Sequence, residues 1–461
     1  MNAFGTLTLD RRDFLKATLG IATLTAGASR SAAVARIEAA GVQPMFFDPS
    51  RIAALRERVT KDGVVREKWT RLIARADELS ATRIVSFAEA NAGPGYRAGF
   101  PVATQQLTEM AFVLGLAWRV TGDERYARTL HAAVRNSLEF PHWTTPGMAE
   151  RRPRWRSDLW TGAFTVAVAS GREALGDFLA ADERRSIGAG LRRLGVEPLL
   201  GDWVLPEQRI HALDSMGHNW WCVCVSAAGI GALALREEEP RAVAWLDQVE
   251  SALDGFFDYR GQVLHNKPAN FDGAGSFYES VQYADYTLFQ YLRFRLARLQ
   301  ALPAVPPRPM PMLDRVADFF AHACYPTSTG DLSVDIGDSR LEANGARTIR
   351  LLAMIGISSE VARWYSGRRG DPLFDPLSLL FSPPAGPGQN NLPRAAVFPA
   401  AGWASFRDAW TENATLLAMR CGVTWNHAHP DAGSFVLYHA GRPLIIDSGM
   451  CSYDRCEYTD Y

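Results

Sequence analysis

"LTEMAFVLGLAWRVTGDERYARTLHAAVRNSLEF", Leu107 to Phe140, decides how most of this chain is built. Its apolar residues recur at helical spacing, break at the Thr121-Gly122-Asp123-Glu124 turn, and then resume. That is the pattern of two apolar-striped helices joined as a hairpin. The design returns in Ser157–Gly195, in Asn219–Phe257 and between Tyr283 and Cys324. Successive helical hairpins without a strict repeat point to a toroid or solenoid of helix pairs. Such a body places loop residues from several hairpins around one concave cleft.

The character changes after "FDPLSLLFSPPAGPGQNNLPRA" (Phe374–Ala395), whose Pro, Gly and Asn cluster reads as a linker over 381–394. The helical body then covers 36–380, and 395–461 begins an antiparallel sheet. The runs Ala395–Asp408, Ala414–Gly422, Gly433–Gly441 and Arg442–Gly449 are short, apolar and bounded by Gly, Asp and Asn. So few strands leave open edges, so the expected sandwich reads as truncated at its C-terminus. The fold class is α+β: an incomplete (α/α) toroid followed by the start of a β-sandwich.

The 461 residues favour more than one domain, and a formal net charge of −1 argues against a general nucleic-acid binder. Thirteen Trp and thirteen Tyr supply flat apolar faces that suit sugar rings. "LDRRDFLK" (Leu9–Lys16) is a twin-arginine export signature, followed by a small-residue apolar run and a cleavage site at Ala33–Ala35. The run is too short for a stable membrane span. The mature protein is therefore expected to start near Arg36, in the periplasm or outside the cell. Of six cysteines, Cys222 and Cys224 read as buried helix thiols, and Cys451 and Cys456 are spaced for a local bridge.

Three segments gather chemistry. "DSMGHNWW" (Asp214–Trp221) sets His218 and Asn219 before an apolar helix, where donors at a helix start can hold an anion or simply cap the helix. "DGAGSFYESVQYADYTLF" (Asp272–Phe289) puts Tyr283 and Tyr286 three apart, on one helical face. "TWNHAHPDAGSFVLYHAGRPLIIDSG" (Thr424–Gly449) carries His427, His429 and Asp431, which an extended run projects to one face while Asn426 points to the other. Imidazoles and a carboxylate so placed suit metal binding or proton transfer.

Together these segments, in this order, resemble the heparinase II/III-like polysaccharide lyases, relatives of the oligoalginate lyases. The resemblance runs from about residue 100 onward and is most specific in Asn426–Gly449; Ser280 departs from a glycine common in the family. It implies an (α/α) toroid with a β-sandwich and eliminative cleavage of uronate polysaccharides. It also implies a structural zinc held by His429 and Asp447, eighteen positions apart, with a third ligand beyond Tyr461.

Elimination requires the uronate carboxylate to be neutralised, the C5 proton removed and the C4 oxygen protonated. Asn219 and His218 are the candidates for neutralising hydrogen bonds, Tyr283 for base and acid, and His427 for a partner base on the opposite wall. Tyr286, Glu279 and Trp220 are expected to line the sugar subsite. Arg152, Arg154 and Arg156, beside Arg151 in "ERRPRWRSDLW", and Arg340 are candidates to grip neighbouring anionic groups. Two other readings stay open. A glycoside hydrolase would recruit Glu279 with Asp272 or Asp338 as opposed carboxylates. A non-catalytic carbohydrate-binding protein would keep the cleft without turnover.

Overall fold

The computed structural model describes residues 43–93, 99–261, 267–328, 330–367, 375–381, 388–422, 424–429 and 431–450. The export signature, the cleavage site, Cys451 and Cys456 lie outside them.

Paired helices build the body: α1 (Pro49–Lys61), α2 (Gly63–Ala81), α3 (Phe100–Thr121), α4 (Glu124–Leu138), α5 (Leu159–Leu175), α6 (Ala181–Leu191), α7 (Asn219–Leu235), α8 (Ala242–Phe257), α9 (Val281–Ala301) and α10 (Ala346–Met354). Each hairpin turn has a local cause. Gly122, at φ 74°, ends α3 in the left-handed region, and the Asp123 carboxylate then caps α4 by accepting from Arg125 N. Asp62 and Asp158 cap α2 and α5 in the same way.

α5 and α7 are largely apolar and are buried on nearly every side. They form an inner layer with α3, α9 and α10, each packed on its neighbour in the series α3–α5–α7–α9–α10. Outside them α4 packs on α3 and α5, α6 on α4 and α5, and α8 on α7. Cys222 and Cys224 are free thiols buried in α7, as expected of small apolar side chains. A short antiparallel hairpin, β1 (Cys324–Thr327) with β2 (Gly330–Ser333), interrupts the helical body where the sequence suggests none.

The tail forms one five-stranded antiparallel meander: β3 (Ala395–Phe398), β4 (Trp403–Arg407), β5 (Thr415–Arg420), β6 (Phe435–His439) and β7 (Arg442–Ile445). β5 alternates strictly, with Leu416, Ala418 and Arg420 turned inward. The turn at Ala440–Gly441 pairs His439 with Arg442, and a bulge at Leu437/Tyr438 then shifts the register. The buried face docks on the helical body: Tyr438 stacks on Tyr325 at 5.1 Å, and Arg407 Nη2 donates to the carbonyls of His322 and Cys324, both at 3.0 Å. The other face exposes Val397, Phe406, Phe435 and Ile445. Among the described residues the expected sandwich is represented by this single sheet.

Candidate active site

Two helix starts and one turn of the sheet domain meet at a single cavity. At the start of α7, His218 is the N-cap, and its Nδ1 accepts from Trp220 N at 3.3 Å. Burial first, then the charge of Lys267 and that of His427 whenever it is protonated, hold the His218 pKa well below the ordinary imidazole value. A neutral imidazole accepting at Nδ1 carries its proton on Nε2, so His218 is a neutral donor there. Asn219 follows, fully buried, with its backbone N and its Nδ2 each donating at 2.9 Å to the two oxygens of Glu279. Glu279 is itself fully buried and also accepts from Tyr278 Oη at 3.1 Å. Contrary to its expected place in the sugar subsite, Glu279 lies behind Asn219 and fixes that amide.

Lys267 underpins the same helix start. Its Nζ donates to the carbonyls of Leu213 at 2.8 Å and Gly217 at 2.7 Å, and sits 4.3 Å from the centre of the Trp425 ring. Burial lowers its pKa to about 8. A lysine whose folded pKa lies below its unfolded value leaves the unfolded state binding more protons between the two, so folding stability rises with pH over that window. Wild type should therefore gain melting temperature relative to Lys267→Met between about pH 8 and pH 10.5. Parallel melting curves across that range would refute the assignment.

Tyr283 sits in the first turn of α9, behind the N-cap Ser280, whose Oγ accepts from Tyr283 N at 3.4 Å. Its ring meets Tyr286 edge to face at 6.2 Å and stacks on His427 at 3.5 Å with 4° between the planes. The sequence reading puts His427 on the opposite wall; in the structure it lies face to face with Tyr283 on the same one.

The histidine segment is not extended. Asn426–Ala428 make a single 3₁₀ turn that begins at positive φ, 55° at Asn426, and is followed by His429, also positive at φ 53°. Asn426 and His427 therefore both reach the cavity. What brings the two histidines together is Asp338, buried on the loop after β2. Its Oδ2 lies 2.5 Å from His427 Nδ1 and its Oδ1 lies 2.7 Å from His429 Nε2. A carboxylate only accepts, so both imidazole nitrogens donate, and Nε2 is the His427 nitrogen left free of Asp338. Asp338 raises the His429 pKa through that hydrogen bond. Gly337 makes the approach possible: at φ 79°, a Cβ there would meet the His427 carbonyl at 2.8 Å.

The cavity has a volume of about 1190 Å³, and His218, Asn219, Trp220, Tyr283, Tyr286, Arg340 and His427 all face it. Arginines 152, 154 and 156 do not. Arg156 is tied to Asp202 at 2.7 Å and Arg152 donates to the carbonyls of Glu150 and Arg151, while Arg154 is exposed outside the cavity. Arg151, stacked over Trp155 at 5.2 Å, takes the place expected of them. Arg347 also lines the cavity, held by Asp285 at 2.6 Å, and nothing in the local sequence announces it.

His429 and Asp447 are the residues expected to hold zinc. Among the described residues no group of three or more His, Cys, Asp and Glu has ligand spacing. The donor chemistry nevertheless suits a divalent cation. Asp431 Oδ2 is buried without a hydrogen bond, 3.6 Å from His429 Nδ1, and burial and the Asp447 charge raise the Asp431 pKa. With Nε2 given to Asp338, His429 would offer a metal its Nδ1.

Against known proteins, residues 390–461 match the model of the heparinase II/III-like C-terminal family. Over that segment the chain is similar to the heparinase II/III-like C-terminal domain. A heparin-sulfate lyase of Bacteroides thetaiotaomicron is 33% identical over 66 residues, which cover 12% of this chain and 9% of the lyase. The fold is similar to that of a heparinase III crystal structure (TM-score 0.53, 17% identity, 77% of this chain and 52% of that one). A second heparinase III structure, the BT4657 gene product, aligns at TM-score 0.53 and 14% identity over 81% of this chain and 56% of its own. The chain thus spans about half the length of these heparinase III structures. At these identities the likeness is one of fold, a helical toroid with an antiparallel sheet domain.

Proposed function

We propose that this protein is a polysaccharide lyase that cleaves a uronate-containing chain by β-elimination. One observation carries the reading: Asn219, His218, Tyr283 and His427, from two helices and the sheet domain, face one cavity. The uronate carboxylate accepts from the His218 Nε2 proton and from the Asn219 Nδ2 hydrogen that Glu279 leaves unused. These donors gain strength as charge moves into the carboxylate during loss of the C5 proton. Tyr283 takes that proton and returns one to the C4 oxygen as the C4–O bond breaks and the C4–C5 double bond forms. The His427 ring stacked beside it, with its tautomer set by Asp338, is the partner base. Arg340 and Arg347 in the same wall supply the positive field that a phenol with an ordinary pKa of about 10 needs to act as a base.

The hydrolase alternative loses support because its carboxylates are committed elsewhere. Glu279 holds Asn219, Asp272 accepts from Ala274 N and Ser276 N within a turn, and Asp338 holds the histidines. The test is product analysis on alginate, heparin, heparan sulfate and chondroitin-type polymers. An unsaturated-uronate absorbance band is expected on at least one, and saturated products of hydrolysis would overturn the reading.

Zinc, bound through His429 and Asp447, is proposed as structural, steadying the turn that presents His427. When bound it supplies a fixed positive charge among these carboxylates. His429→Ala should lower zinc content and melting temperature together, and unchanged zinc would remove His429 from the ligand set. Export by the signature at Leu9–Lys16 belongs to the same proposal. Among the described residues no helix is long and apolar enough to cross a membrane.

A further inference from the structure

A second cavity adjoins the first at Tyr286. Leu159, Trp160, Tyr286 and Arg347 also line this second cavity of about 710 Å³, walled by α3, α5, α7, α9 and α10 inside the helical ring. Its size falls within the roughly 300–1,000 Å³ of small-molecule sites.

Arg293 stands in that wall. Its guanidinium lies 4.4 Å from the centre of the Phe289 ring and 5.4 Å from that of Phe112. The neighbouring arginines have acidic partners: Arg75 donates to Glu109 at 2.6 and 2.8 Å, and Arg347 to Asp285 at 2.6 Å. Arg293 has no hydrogen bond and no ion pair among the described residues, and its Nε is fully enclosed. Asp375 acts on it through charge alone, opposed by Arg347, and burial lowers the Arg293 pKa to about 10. A partly buried guanidinium with no hydrogen-bonded acid among the described residues is costly, and an anion entering the cavity would supply the missing acceptors. The planar guanidinium fork matches a carboxylate or a sulfate, and Phe289, Phe112 and Trp160 supply apolar surface for a sugar ring.

We propose that the second cavity is a subsite for an anionic sugar unit, bearing a carboxylate or a sulfate that Arg293 receives. This rests on the lyase reading in one respect, that the ligand is the same sugar chain entering through the catalytic cavity.

The test is equilibrium binding of uronate disaccharides and hexasaccharides, sulfated and unsulfated, to the full chain carrying Tyr283→Phe so that ligand is not consumed. Adding Arg293→Met, which keeps an apolar side chain between the two phenylalanines, should weaken the hexasaccharide about tenfold or more and leave the disaccharide unchanged. Gln290→Glu, one turn before Arg293 in the same wall, offers the guanidinium an internal carboxylate and should reproduce the loss without harming the fold. Loss confined to sulfated hexasaccharides assigns a sulfate to Arg293; equal loss in both series assigns a carboxylate. Hexasaccharide binding unchanged by both variants overturns the subsite while the lyase reading stands. No binding of any uronate oligosaccharide by the parent overturns both.

Discussion

Tyr283→Phe reduces turnover by about 10²–10⁴ and leaves melting temperature and sugar affinity near those of the parent. The change removes one oxygen and keeps the ring, so the stacking on His427 at 3.5 Å and the edge contact with Tyr286 are both retained. Proton transfer is lost and little else. The measurement is kcat from unsaturated-product absorbance beside a melting curve. Full turnover in the phenylalanine variant would take the acid–base role away from Tyr283 and leave His427 to carry it.

Asp338→Asn is expected to lower kcat by a similar factor of about 10²–10⁴, with KM little altered. The native carboxylate accepts from both imidazoles at 2.5 and 2.7 Å. An amide can accept from one but must present hydrogens to the other, so one imidazole is forced into the wrong tautomer or loses its partner. Because the Asp338 side chain is 1% exposed, the mismatch is not repaired by water and costs about 1–3 kcal/mol of stability. If kcat survives while the melting temperature falls, Asp338 is a structural staple and His427 needs no orienting partner.

The periodic parts of this molecule are legible in its sequence. Helical hairpins announce themselves over dozens of residues, and the tail strands alternate between Gly and Asp breaks. The β1–β2 hairpin escapes notice because four-residue strands such as Cys324–Thr327 are too short to show a period. His218, Asn219, Tyr283 and His427 stand out because each belongs to a local motif. Asp338 reads only as a hydrolase carboxylate, since its bond to His427 spans 89 positions. Glu279 is misplaced for the same reason: its partner Asn219 lies 60 positions earlier. Arg156 looks like its neighbours until Asp202, 46 positions on, claims it. Charge written along a sequence does not say which charges are already answered.

Asp338 comes from the helical half of the chain and both imidazoles from the sheet half, and that division has a kinetic consequence. A refolding protein whose helices have assembled, but whose sheet has not yet seated, would already present Asn219 and Tyr283 to a sugar and still be inert. Recovery of activity after denaturation would then time the seating of the sheet, whereas helical circular dichroism would report the earlier event.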